Sequence, residues 1–191
     1  MKTLLVNEIF HSIQGESTLA GRPCVFVRLT GCDLRCSWCD TEYAFYEGRK
    51  RPIEDILAEV AAYNCDLVEL TGGEPLLQPN IQDLIAKLLE SGKTVMIETG
   101  GHRDATQLDP RVRRILDVKT PSSGECGQTH EPTFESLRGG DEVKFVIQDR
   151  ADFDWSVDWL AAHRIPPAVP ILFSPVHGKL EPADLAQWIL Q

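Results

Sequence analysis

Seven short apolar runs separated by segments of helical period predict an α/β fold with a mainly parallel sheet. Six of these runs follow an N-terminal one, which points to an open (β/α)6-type partial barrel with a reduced helix complement. Gly-rich or charged segments follow the runs, where ligands gather in folds of this class. The chain has 191 residues, 42% hydrophobic and 25% charged, enough for one buried core, and is read as a single domain over 1–191.

The strands are expected at 4–10, 24–29, 67–71, 94–98, 115–119, 142–147 and 169–173. Ile53, Ile56, Leu57, Val60 and Ala61 share one face at helical spacing. Ile81, Leu84, Ile85, Leu88 and Leu89 do the same and stop before Gly92. Further helices are expected at 152–163 and 182–190, whereas 102–114 is too weakly periodic for one. Pro166 and Pro167 break a helix. The segments after strands are 31–36, 71–75, 98–101, 117–124 and 174–178.

A net charge of −10 repels phosphate backbones, which argues against nucleic acid as a broad-surface partner. No apolar run approaches the roughly 18 residues that cross a bilayer. Asn7, Glu8 and His11 interrupt the N-terminal segment too early for a signal peptide. The expectation is a cytoplasmic protein without a membrane partner, so its six cysteines are read as thiols or metal ligands. Cys24, Cys65 and Cys126 stand singly and are read as buried core residues. Arg49, Lys50 and Arg51, and the run from Arg111 to Arg114, are read as solvated faces.

Cys32, Cys36 and Cys39 crowd onto one loop beginning at Gly31. Three thiolates so placed fit a zinc site completed by a further ligand, or a [4Fe–4S] cluster with one iron left open. A second Cys pair of the kind zinc sites use is absent, and His11, His102, His130, His163 and His177 lie at no familiar spacing. The spacing therefore favours the cluster.

The Cys-x3-Cys-x2-Cys loop after a strand, with Trp38 before the last cysteine, resembles that of the radical S-adenosylmethionine (SAM) enzymes. Gly72-Gly73-Glu74-Pro75, at the end of the next barrel strand, is similar to their GGEP motif. The stretch from Glu8 to Ser17 resembles the EIFxSxQGEG signature of the 7-carboxy-7-deazaguanine synthase family, with Ser17 in place of a commoner glycine. The resemblance continues through Gly21-Arg22-Pro23, the segment from Arg28 to Cys32, Trp38 to Thr41, Leu70 to Pro75, and Lys119 to Gly124.

The resemblance implies a lyase that rearranges 6-carboxy-5,6,7,8-tetrahydropterin to 7-carboxy-7-deazaguanine and ammonia, on the route to queuosine and related 7-deazapurines. It implies a [4Fe–4S] cluster on Cys32, Cys36 and Cys39, SAM bound by Trp38, Gly73, Asp117, Val118 and Lys119, and Mg²⁺ at Thr41. Gln14 and Glu16, with the backbone from Ile13 to Gly15, suit the pyrimidine edge of a pterin. Arg28 offers a fork to the substrate carboxylate, and Thr71 another polar contact. Ser174, Pro175, Val176 and His177 occupy a more variable substrate segment. A flavodoxin-like electron donor and a homodimer are further implications. Two rivals differ in what they require: a glycyl-radical enzyme activase needs neither Gln14-Gly15-Glu16 nor Arg28, and a zinc-binding interaction module needs no open metal position.

Overall fold

The computed structural model describes residues 1–191. Strands β1 (Thr3–Ile13), β2 (Pro23–Leu29), β3 (Arg49–Pro52), β4 (Leu67–Gly72), β5 (Thr94–Thr99), β6 (Arg113–Val118), β7 (Glu142–Ile147) and β8 (Ile171–Pro175) form one sheet. Its order is β3-β1-β2-β4-β5-β6-β7-β8. From β2 to β8 every neighbouring pair is parallel, while β1 runs antiparallel to both β2 and β3. The six parallel strands are those expected of a partial barrel, and the sheet stays open because β3 and β8 are both edges.

Helices α1 (Ile53–Ala62), α2 (Ile81–Glu90), α3 (Glu131–Glu135), α4 (Arg150–Ala162) and α5 (Pro182–Ile189) cover the outer face. Ile53, Ile56 and Val60 of α1 and Ile81, Leu84, Ile85 and Leu88 of α2 are buried against the strands in one cluster of 36 core residues. Each such side chain contributes about 1.5–3 kcal/mol by leaving water. α4 starts at Asp149, whose carboxylate accepts the Asp152 amide at 3.0 Å. No helix joins β5 to β6, as the weak periodicity of 102–114 implied.

Four expectations need correction. The Arg49–Pro52 segment is an edge strand, not merely a solvated run, and its charges sit where they discourage pairing with another chain. β8 begins after Pro170, which has no N–H for the ladder, and continues through Ser174 and Pro175. Arg114 is wholly buried rather than solvated: it donates to the Ser136 carbonyl at 2.8 Å and pairs with buried Asp141. Cys126 is exposed, in a loop that offers it no core to enter, whereas Cys24 and Cys65 are buried.

Candidate active site

The C-terminal ends of the parallel strands open into one cavity of about 1010 Å³. Strand alternation decides what faces it. Along β2, β4 and β5 the inward positions are Phe26 and Arg28, Glu69 and Thr71, and Met96 and Glu98, with Arg28 in register with Thr71. All but Met96 line the cavity, together with Asp117 of β6, Lys144 of β7 and Ser174 and Pro175 of β8.

Cys32, Cys36 and Cys39 reach the cavity from the loop after β2. No three His, Cys, Asp or Glu side chains converge as a mononuclear metal site requires. A spread of three half-buried thiols round a cavity mouth suits a cluster, where each thiolate takes a different iron. Burial pushes the Cys36 thiol up to about 11 in the metal-free chain, with Lys119 opposing the rise, and burial raises Cys32 as well. Ligation by thiolate therefore releases protons.

The loop is held at both ends. The Gly31 amide donates to the Ala44 carbonyl at 2.9 Å, and the Ser37 amide to the Ser123 carbonyl at 2.9 Å. Asp33 accepts from Arg103 and lies 2.8 Å from His102 Nε2. The two contacts, outweighing the effect of burial, hold its carboxyl below the usual range.

Gly73 and Glu74 follow β4 and clasp the same loop. The Gly73 amide donates to Leu29 at 3.0 Å and the Glu74 amide to Gly31 at 2.7 Å. A Cβ on Gly73 would lie 2.5 Å from the Gly31 carbonyl carbon, so only glycine allows this approach. The Glu74 carboxylate, 1% exposed, accepts from Thr99 Oγ1 at 2.8 Å and from the Gly100 amide at 2.9 Å. Glu74 is thus a strut between the ends of β4 and β5.

Beside the cysteines, Trp38 donates its indole N–H to Ser122 Oγ at 3.3 Å, and Lys119 Nζ sits 5.3 Å from its ring centroid. Lys119 pairs with Asp117, whose other oxygen, Oδ1, is buried without a partner. Asp117 lines the cavity, so a polar ligand bound there is the partner this orphaned acceptor lacks. Burial alone would lower the Lys119 ammonium, but the charges of Asp117 and Cys36 hold it above its ordinary value.

Arg28, Gln14, Gly15 and Glu16 line the same cavity. Arg28 Nε donates to Glu8 Oε1 at 2.8 Å, and its guanidinium carbon lies 5.7 Å from the rings of both Phe10 and Tyr43. Its two Nη groups make no hydrogen bond within the protein, and the side chain is 17% exposed. Glu16 pairs with Lys144, which also donates to Glu98 at 2.6 Å. Burial works against the Lys144 charge, yet Glu98, Asp117 and Glu16 raise it well above its usual value. Lys144 in turn lowers Glu98. Thr71 Oγ1 donates to Glu98 at 3.3 Å, and Thr41 Oγ1 donates to Asp40 at 2.7 Å.

Of the residues singled out in the sequence, Gln14, Gly15, Glu16, Arg28, Cys32, Cys36, Trp38, Cys39, Thr41, Thr71, Gly73, Asp117, Lys119, Ser174, Pro175, Val176 and His177 all line this cavity. Two side chains do not. Ile13 is exposed outside the cavity and Val118 is buried in the core on the other face of the sheet, so only their backbones are available. Glu69, Glu98 and Lys144 escaped the sequence reading. Their signal was a charge at an inward position of a strand otherwise buried, a placement costly unless paired.

The Radical SAM superfamily model matches residues 26–121. A 7-carboxy-7-deazaguanine synthase of Koribacter versatilis is 42% identical over 97% of this chain and 89% of its own. One from Chlorobaculum tepidum is 42% identical over 98% of this chain and 87% of its own. Among solved structures, QueE from Escherichia coli superposes with a TM-score of 0.83 over 98% of this chain and 89% of that one, at 23% identity. Streptococcus suis SuiB bound to S-adenosylmethionine matches at 0.58 over 84% of this chain and 44% of its own, at 18% identity, a likeness of fold alone.

Proposed function

This chain belongs to the 7-carboxy-7-deazaguanine synthase family of the radical SAM superfamily, and from that premise we propose that its cavity converts 6-carboxy-5,6,7,8-tetrahydropterin to 7-carboxy-7-deazaguanine and ammonia. The observation that carries the reading is the single cavity lined by Cys32, Cys36 and Cys39 together with Arg28 and Glu16. Cofactor and substrate would meet there without crossing solvent. Residues 1–191 would act as one domain, and no helix is long and apolar enough to cross a membrane.

The [4Fe–4S] cluster and SAM, when bound, supply a carbon radical by one-electron cleavage of the sulfonium bond. Cys32, Cys36 and Cys39 would hold three irons. Trp38 would lie against the adenine, and Gly73 would bring its backbone close to the methionine amino group. Asp117 Oδ1 and Lys119 would take polar groups of SAM, with Val118 contributing through its main chain.

Arg28 would meet the substrate carboxylate with its free Nη groups, Glu8 and the two rings fixing the guanidinium plane. Glu16, Gln14 and the backbone of Ile13 and Gly15 would receive the pyrimidine edge, and Thr71 a further polar atom. Ser174, Pro175, Val176 and His177 would close the open side of the sheet over the ring. Thr41, with Asp40 beside it, would hold Mg²⁺ against the carboxylate. The family resemblance also supports a homodimer, a flavodoxin-like reductant and a cytoplasmic place of work.

The test is anaerobic turnover of the reconstituted protein with SAM and a reductant. The carboxylated pterin should be converted and the same pterin lacking its carboxylate should not. Equal conversion of both would remove Arg28 from the substrate site, and conversion of neither would overturn the function.

A further inference from the structure

Glu69 is a carboxyl with no counter-ion in the middle of a buried strand. It sits between Phe26 of β2 and Met96 of β5, is 4% exposed, and lines the cavity floor one pleat below Thr71. Lys144, the nearest ammonium acting on it, is bonded to Glu98 and Glu16 instead. The side chain that does bond Glu69 is Gln14, whose Nε2 donates to Oε2.

Gln14 is itself held on every other side. Its amide donates to the Arg22 carbonyl at 2.8 Å, its carbonyl accepts from the Gly21 amide at 2.8 Å, and its Oε1 accepts from the Glu16 amide at 3.0 Å. The backbone bonds say where the carboxamide lies but not which end is oxygen, because the two ends have nearly the same shape. The Glu16 amide settles that, since an N–H can face only Oε1, and Glu69 then holds the other end by accepting from Nε2. The Glu16 amide bond also seats the residue read as the pterin-edge acceptor.

We propose that Glu69 is a positioning residue for the pterin: it orients the Gln14 carboxamide, and through it Glu16, so that the cavity floor offers one fixed donor–acceptor pattern to the ring. This deepens the function above and rests on it. Burial, then the charge of Glu98, pushes the Glu69 carboxyl up to about 8, with Gln14 and Lys144 opposing. At neutral pH it keeps its proton, so it adds no further negative charge to the Glu98, Lys144 and Glu16 group beside an anionic substrate. The groups facing it are Gln14 and Glu16 from the β1–β2 turn, Cys24 of β2, Glu98 of β5 and Lys144 of β7. Above about pH 8 Glu69 adds a second carboxylate to Glu98, and pterin binding should weaken.

The experiment measures pterin and SAM affinity, by anaerobic calorimetry and by KM, for the cluster-loaded wild type, Glu69→Leu and Glu69→Gln. Leucine removes the acceptor from Gln14, and pterin affinity should fall about tenfold, a difference worth roughly 1.4 kcal/mol, with SAM affinity and iron content unchanged. Glutamine keeps an acceptor and cannot titrate. It should stay within about threefold of wild type at pH 7 and lose the weakening above pH 8. Wild-type pterin affinity in Glu69→Leu overturns the inference, as does a parallel loss of SAM affinity and iron. A wild-type protein that does not bind the pterin overturns the function itself, and the inference with it.

Discussion

Replacing Gly73 by alanine should loosen the cysteine loop without touching a cysteine. A Cβ there lies 2.5 Å from the Gly31 carbonyl carbon and 3.0 Å from the Cys32 nitrogen. Carbon atoms in contact rest about 3.5–4.0 Å apart, so the strand end or the loop must retreat by about 1 Å. Neither is free to do so. The Gly73 amide is bonded to Leu29, the Glu74 amide to Gly31, and Gly31 to Ala44. Overpacking of this kind costs about 1–3 kcal/mol, and each strained backbone bond about 1 kcal/mol more. With one such bond strained the total is about 2–4 kcal/mol, and in a chain of this size about 1 kcal/mol moves the melting point by roughly 2–4 °C, so a fall of about 4–16 °C is expected. The assay is thermal unfolding of the metal-free chain beside iron content after anaerobic reconstitution. Iron per chain should drop together with the melting point, because Cys32 directly follows the displaced Gly31. Gly139→Ala, with nothing within 4 Å of its Cβ, should match wild type in both. Wild-type melting and full iron in Gly73→Ala would refute the clasp.

Arg28→Ala should lose about one to two decades of pterin affinity, since a charge-assisted hydrogen bond contributes roughly 1.5–3 kcal/mol; Arg28→Lys should recover only part, and unchanged affinity in the alanine variant would leave Arg28 a strand charge. Asp141→Ala strands the Arg114 guanidinium, wholly buried, and should destabilise by about 3–5 kcal/mol in denaturant unfolding, with a loss under about 1 kcal/mol contradicting the pairing. Thr41→Ala should blunt the gain in turnover on adding Mg²⁺ while iron content stays unchanged; an unaltered Mg²⁺ response would place the ion elsewhere.

The parallel strands and the helices at Ile53–Ala62 and Ile81–Glu90 were legible because short β-branched runs bounded by glycine and charged turns read as strands, and a longer apolar face at helical spacing reads as a helix. The cysteine loop was legible because its spacing favours a cluster, and GGEP through its resemblance to the radical SAM motif at the next strand end. Arg114 was not, because a run of arginines looks solvated until the strand alternation that buries one of them, beside Asp141, is known. Likewise Glu69, Glu98 and Lys144 come from three strands and find one another only after the sheet curves. Ser17 bears on both. It stands at φ 62 where the related motif carries glycine, a departure visible in sequence whose left-handed backbone is visible only in the fold.

If one cavity serves both the cysteine site and the pterin, losing one cysteine must stop SAM cleavage and pterin conversion together. The measurement is 7-carboxy-7-deazaguanine formed beside 5′-deoxyadenosine released during anaerobic turnover, for wild type and Cys36→Ala. Wild type should form 7-carboxy-7-deazaguanine, and Cys36→Ala should form neither it nor 5′-deoxyadenosine. Product from Cys36→Ala, or SAM cleaved by wild type with the pterin left intact, would contradict the shared cavity.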